Sequence, residues 1–165
     1  MTIKKLEWSD RAICKSLGRA CERALWTHHY DPKDFFPKLL NSVMFDNYEI
    51  DGTVYSQSPE YILDELVEEL GNKGESIQKL DDSSYLLEPD CIDSYSDDMY
   101  WMGYLFQYWK MSRDVTGEEI LKYDIDLIFE NADVLHTQSI NYALDIIEED
   151  YLKQDNNYVK TTKNL

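Results

Sequence analysis

The sequence predicts a mainly α-helical protein, and three observations support this fold class. Apolar residues recur at helical spacing in several segments, capping residues precede most of these segments, and only one short segment carries a β-hairpin signal. The 165 residues suit one domain with a buried core. We therefore expect a single-domain helical bundle over residues 1–153, with five to seven helices and at most one small β-hairpin. Residues 154–165 are polar, and we expect a frayed tail there.

The first predicted helix follows Ser9, which is a suitable N-cap residue. Its apolar face repeats every four residues at Ile13, Leu17, Cys21 and Leu25. Another side carries a row of cations that we call the basic ridge: Arg11, Lys15, Arg19 and Arg23. Asp31-Pro32 predicts the start of a second helix, whose apolar positions run on to Val43 and Met44.

The middle of the chain contains the hairpin signal and an acidic helix. Asp51-Gly52 lies between the β-favouring residues of segment 48–55 and predicts a short hairpin. Ser58-Pro59 then predicts a helix that ends near Gly71. The polar face of that helix carries Glu60, Asp64, Glu65, Glu68 and Glu69. The following residues, 71–93, are typical of a loop.

The densest run of aromatic residues lies between Tyr100 and Trp109, behind a predicted cap at Ser96. In a helix, residues four apart share a face, so this run forms two neighbouring stripes. The stripes are Tyr100, Tyr104, Tyr108 and Trp101, Leu105, Trp109. A helix that is apolar nearly all round is typical of the centre of a domain, or of a surface that a partner covers.

Three shorter helices are predicted after the aromatic run. Thr116 and Glu119 have the spacing of a capping box, in which each side chain binds the backbone N–H of the other residue. Asp124 and Ser139 are suitable caps for the two segments that follow.

The charge is strongly acidic and unevenly distributed. The formal net charge is −17, from 33 acidic and 16 basic residues, and residues 1–44 carry eight basic and five acidic residues. Direct nucleic-acid binding is not expected, because such binding needs cations to neutralise phosphates. A basic protein partner, or mimicry of a polyanion, fits this charge, although acidity also serves solubility alone.

Composition also guides the expected location and chemistry. No apolar run reaches the roughly 18 residues of a membrane helix, and residues 1–10 lack the apolar segment of a signal peptide. We therefore expect a cytoplasmic protein with no membrane contact. The three cysteines, Cys14, Cys21 and Cys91, show neither a disulfide framework nor zinc-ligand spacing.

Few residues suggest catalysis, and we expect no enzyme activity, no cofactor and no metal. His28, His29 and Asp31 form one cluster, but adjacent helical histidines point in different directions. A role at a helix C-terminus suits them better, because the helix dipole favours cations there. His136 stands alone, and no phosphate-binding, dinucleotide-binding, zinc-protease or nucleophile-elbow motif is present.

Part of the chain resembles small uncharacterised acidic bacterial proteins that have a Tyr-Trp-x-Gly-Tyr-x-x-x-Tyr-Trp helix. The residues that carry the resemblance are Tyr100, Trp101, Gly103, Tyr104, Tyr108, Trp109, then Thr116, Glu119, Ile120, and finally His136, Thr137, Ala143. The resemblance covers roughly residues 93–150. Such proteins are often encoded beside genes that resemble ADP-ribosyltransferase toxins, which implies an antitoxin or accessory role and transfers no catalytic residue.

The preferred hypothesis is an acidic protein-binding module, most consistent with an antitoxin that neutralises a basic, ADP-ribosyltransferase-like toxin by stoichiometric binding. Segment 60–98 contains thirteen acidic and two basic residues, which would steer a basic partner. The candidate partner-binding residues are Glu65, Glu68, Glu69, Asp97, Asp98, Tyr100, Trp101, Tyr104 and Tyr108. Two alternatives remain open: a phage or plasmid anti-defence protein that mimics DNA charge, and a small hydrolase or transferase that uses His136 or His28.

Overall fold

The computed structural model describes residues 2–154 and is mainly helical, which confirms the predicted fold class. Its helices are α1 Trp8–Trp26, α2 Pro32–Leu40, α3 Val43–Asp46, α4 Gly52–Tyr55, α5 Pro59–Asn72, α6 Ile92–Arg113, α7 Gly117–Ile120, α8 Ile125–Glu130, α9 Ala132–Leu135 and α10 Ile140–Asp150. A 3-10 turn, Tyr85–Leu87, precedes α6. All but the first residue of the predicted frayed tail lie outside the described residues.

The described chain has ten helices, more than the predicted five to seven. Four of them, α3, α4, α7 and α9, are single turns of four residues. Apolar periodicity cannot reveal such helices, because four residues are too few to show a repeat.

α6 is the central helix, and it packs directly against α1. The two backbones meet at Gly18 and Gly103. A Cβ atom placed on Gly103 would lie 2.7 Å from the Sγ atom of Cys21 and 2.8 Å from the carbonyl oxygen of Leu17. Only a residue without a side chain allows this approach, so Gly103 sets the distance between the two helices.

Aromatic side chains connect the helices that surround this pair. Phe36 of α2 makes edge-to-face contacts with Phe106 of α6 and Phe129 of α8, with ring centroids 5.4 and 5.7 Å apart. Just beyond the end of α2, a Cβ on Gly117 would overlap the carbonyl oxygen of Leu40, so the start of α7 also needs a glycine.

Two cations of α6 are buried and paired. The ammonium of Lys110 is 7% exposed, lies 2.6 Å from the carboxylate of Glu49 and contacts the ring of Phe45. The guanidinium of Arg113 is 3% exposed and pairs with Asp145 and Glu148 of α10. The pairing is required because an isolated charge in the core would be strongly destabilising.

The predicted β-hairpin over residues 48–55 is wrong. Asp51 is instead the N-cap of α4, and its side chain accepts a hydrogen bond from the backbone N–H of Thr53 at 3.1 Å. Tyr48 is buried, with its hydroxyl 2.6 Å from Ser16 Oγ of α1. The arms of the expected hairpin are too short to bury a β face, and the Asp cap favours a helical turn. The β-structure of residues 2–154 consists of two isolated bridges, Tyr30–Lys79 and Tyr123–Leu152.

The predicted helix caps have mixed outcomes. The capping box is confirmed, because Thr116 Oγ1 accepts from the N–H of Glu119 at 3.1 Å and Glu119 Oε1 accepts from the N–H of Thr116 at 3.3 Å. The cap at Ser96 is wrong: α6 begins at Ile92, and Ser96 is buried within it. The cap of α1 is Glu7 and not Ser9.

Candidate partner-binding groove

An open groove of about 560 Å³ lies between α3 and α4 on one side and α5 on the other. We call it the acidic groove. Its apolar lining consists of Val43, Met44 and Val54, and its carboxylates are Asp51, Glu65, Glu68 and Glu69. Three of the candidate residues, Glu65, Glu68 and Glu69, are therefore brought together with an apolar surface.

The groove exists because the second predicted helix is interrupted. α2 ends at Leu40, and Ser42 caps a new turn by accepting a hydrogen bond from the N–H of Phe45 at 3.0 Å. The break turns Val43 away from the core, so that its side chain is 57% exposed. The sequence predicted that the second helix continues through apolar positions to Val43 and Met44. Ser42, a good N-cap residue, is the sequence feature that indicates the break.

Glu69 has a structural role in this groove. Its carboxylate accepts hydrogen bonds from the N–H groups of Val43 at 2.8 Å and Met44 at 2.9 Å. These groups have no partner within the helix, because the first turn of a helix leaves its N–H groups free. Glu69 thus fixes α3 against α5, and Lys73 lies 3.7 Å from the same carboxylate.

Glu65 and Glu68 remain available at the surface. Neither forms an ion pair with a described residue. The charge of Glu65 raises the pKa of Tyr61, an aromatic residue of α5 that is 41% exposed. The acidic groove therefore combines carboxylates that form no ion pair with the exposed apolar side chain of Val43.

The aromatic stripe of α6 is mostly part of the core. Tyr108 is 2% exposed, so its side chain cannot contact a partner, contrary to the sequence-based expectation. Tyr100, Trp101 and Tyr104 are half-buried. The rings of Tyr100, Tyr104 and Tyr108 follow one another at 6.5 and 6.2 Å, as the four-residue spacing predicted.

Asp97 and Asp98 lie outside the acidic groove. Asp97 is exposed and lines a separate groove of about 270 Å³ with Arg23 and Trp26 of α1. Burial, followed by the nearby carboxylate of Asp133, raises the pKa of Asp98 to about 6. The structure thus divides the candidate carboxylates between two sites.

The histidines lie in two different regions of the fold. His28 Nε2 lies 2.6 Å from the carboxylate of Glu60, and its ring stacks on Tyr30. His29 has a left-handed backbone with φ of 56°, just beyond the end of α1. His136 follows α9 and lies close enough to Asp98 to act electrostatically on that carboxyl, in the direction that lowers its pKa.

Comparison with known proteins gives no relative: no protein-family model, no curated protein and no solved structure matches this chain. Within residues 2–154, no cluster of three or more His, Cys, Asp or Glu side chains could hold a metal ion. In the same residues no helix is both long and apolar enough to cross a membrane. The three cysteines are free thiols, and burial raises the pKa of Cys14 to about 12.

Proposed function

We propose that this protein is a binding module whose acidic groove holds a basic, partly apolar segment of a partner protein. One observation carries the proposal: the exposed side chain of Val43 lies in the same groove as the carboxylates Glu65 and Glu68. Lys or Arg side chains of the partner would pair with these carboxylates. An aliphatic or aromatic side chain would cover Val43 and Met44, as apolar anchors do in protein interfaces.

We further propose that the partner is a toxin and that binding neutralises it. The resemblance of the α6 segment to proteins encoded beside ADP-ribosyltransferase-like toxins supports this partner class. The net charge of −17 supports electrostatic capture of a basic toxin. In this mechanism the module covers the cleft in which the toxin binds NAD or its substrate, and one module inactivates one toxin.

The proposal predicts that a gene beside this protein's own encodes an ADP-ribosyltransferase-like toxin, and the test uses that toxin and this protein, both purified. Calorimetry gives the affinity and stoichiometry, and transfer of ADP-ribose to a protein substrate gives the residual toxin activity. We expect activity to fall linearly and to reach zero at a 1:1 ratio, because an inhibitor acts by occupancy. Inactivation by a small fraction of an equivalent would instead indicate an enzyme, and release of the toxin by duplex DNA would indicate charge mimicry.

A pair of matched variants locates the contact. Glu65→Lys combined with Glu68→Lys reverses two charges of the acidic groove and leaves the structural Glu69 intact. Glu149→Lys combined with Asp150→Lys makes the same change in net charge at two exposed positions of α10. We expect the first variant to associate about tenfold more slowly or worse, with a weaker dependence on salt, and the second to stay within about twofold. Equal effects of the two variants would remove the groove from the proposal.

A further inference from the structure

The first half of α1 forms a basic and aromatic surface on this acidic protein. Trp8 is 83% exposed, the highest value among the large apolar residues that the structure leaves exposed. Arg11, Lys15 and Arg19 of the basic ridge follow it, all exposed. Together with Tyr104 they line a groove of about 440 Å³. Tryptophan and arginine are the residue types that most often dominate binding energy in protein interfaces.

The charges of this surface are not neutralised within the described chain. Among residues 2–154, the lysines and arginines that form ion pairs are Lys38, Lys73, Lys110 and Arg113, so no member of the basic ridge has a carboxylate within 4 Å. Arg11 and Arg19 act electrostatically on Tyr104 and Tyr100 of α6 and counteract the effect of burial on the pKa of these phenols. The ridge therefore presents unpaired positive charge beside aromatic rings.

The acidic groove is complementary to this surface in both charge and polarity. It offers an exposed apolar side chain at Val43 and unpaired carboxylates at Glu65 and Glu68. Its volume of about 560 Å³ has room for an indole ring. Along a helix axis, Arg11 and Lys15 are about 6 Å apart and Glu65 and Glu68 about 4.5 Å apart, so two charge pairs are geometrically compatible.

We propose that the Trp8 end of α1 of one copy docks in the acidic groove of a second copy of this chain. The two surfaces share no residue, so a contact through one ridge and one groove is head-to-tail and leaves one free ridge and one free groove at the ends of the oligomer. The net charges of the two copies repel each other, but at about 0.15 M salt charges beyond roughly 8 Å are screened, while the docked patches have opposite sign. The contact is small and therefore weak, and it forms at high protein concentration.

This contact would also regulate the groove. Self-docking does not rest on the proposed function. If that function holds, a docked second copy occupies the same carboxylates that the partner needs. A partner that binds more tightly would displace the second copy, and the acidic groove would be covered while the partner is absent.

The test is analytical ultracentrifugation of the full chain at 0.15 M salt, between about 10 µM and 1 mM, the range in which weak contacts of this size associate. A ridge variant, Trp8→Ala with Arg11→Ala, keeps the groove. A groove variant, Glu65→Lys with Glu68→Lys, keeps the ridge. We expect the unmodified chain to form growing oligomers and each variant alone to remain monomeric.

The decisive measurement is an equimolar mixture of the two variants. The ridge variant keeps an intact groove, and the groove variant keeps an intact ridge, so one copy of each can dock. The resulting pair has no intact surface left, so we expect a 1:1 heterodimer that does not grow further. A third variant, Tyr142→Ala, removes an aromatic side chain that is 55% exposed on α10 and should associate like the unmodified chain. Circular dichroism verifies that all variants are folded.

Three results would overturn the proposal: a monomeric unmodified chain at 1 mM, unchanged oligomers in the ridge variant, or a mixture without heterodimer. Toxin binding is measured at low micromolar concentration, where the chain is monomeric. Failure of self-docking is therefore distinguishable from failure of the proposed function.

Discussion

The close contact between α1 and α6 predicts that Gly103→Ala destabilises the protein. From helix propensity alone, alanine at this interior position of α6 would stabilise the protein by about 1 kcal/mol. The structure instead predicts a fall in the free energy of unfolding. The added Cβ would lie 2.7 Å from Cys21 Sγ, 2.8 Å from the carbonyl oxygen of Leu17 and 2.9 Å from the Cα of Gly18.

The size of the effect follows from which atoms are contacted. Two of the three are backbone atoms of α1, which cannot move without shifting the whole helix. We therefore place the steric cost at the upper end of the usual range for overpacking, about 3 kcal/mol. After subtraction of the propensity gain, a net loss of about 2 kcal/mol remains, which corresponds to a fall in Tm of about 4–8 °C for a domain of this size.

The measurement is urea unfolding followed by circular dichroism, with Gly71→Ala as the matched control. Gly71 also lies in a helix, α5, but a Cβ there would meet no atom within 4 Å. We expect this control to gain up to about 1 kcal/mol. Combining Gly103→Ala with Cys21→Ala removes the nearest contacted atom, so the double variant should recover about 1 kcal/mol relative to the sum of the single changes.

A Gly103→Ala variant that is as stable as the unmodified chain, or more stable, would contradict this steric conflict. In that case α1 and α6 would be farther apart than the structure has them. A loss that Cys21→Ala does not reduce would show that the strain lies elsewhere in the α1–α6 contact.

Two further predictions concern charged groups. Glu49→Gln leaves the buried ammonium of Lys110 without its counter-charge. Because Glu49 is 27% exposed, we expect the free energy of unfolding in urea to fall by about 2–3 kcal/mol, which is less than the full range for a buried pair. The exposed control Glu149→Gln should lose less than about 0.5 kcal/mol. A loss as small as the control's would show that water already solvates Lys110. The pKa of Asp98 in the folded chain is about 6, above its ordinary value of 3.8, so the fold favours the protonated carboxyl. The stability that this carboxyl contributes is therefore fully present below about pH 4 and is lost as the pH rises through 6. Asp98→Asn should therefore match the unmodified chain near pH 4 and exceed its stability above pH 6 by about 1 kcal/mol, a value reduced for solvent screening of this half-buried group. Parallel stability curves of the two proteins between pH 4 and 7 would contradict this assignment.

Much of the helical architecture could be predicted from local signals. The Ser58-Pro59 cap, the Thr116 and Glu119 capping box and the Ser139 cap all precede helices in the structure. The aromatic run was correctly predicted to be helical, since its four-residue repeat depends only on helix geometry. These features were predictable because each involves residues that are close in the sequence.

The candidate site was only partly predictable. The carboxylates Glu65 and Glu68 were identified from the acidic face of α5, but the apolar lining that accompanies them was not. Val43 was predicted to belong to the second helix, and it is a groove residue because α2 ends before it. The hairpin signal at Asp51-Gly52 failed for a related reason: the same residues also suit a helix N-cap, and the packing of Tyr48 against α1 favours the helical turn.

The helical class, the strong negative charge and the separation of the basic ridge from the acidic segment all follow from composition and periodicity, which are properties of residues close together in the chain. By contrast, the packing of whole helices sets which aromatic residues reach the surface and where a groove forms. Glu69 holds α3 through hydrogen bonds to Val43 and Met44, across 26 and 25 positions of the chain. Such a long-range contact depends on how whole helices pack, and no local pattern encodes it.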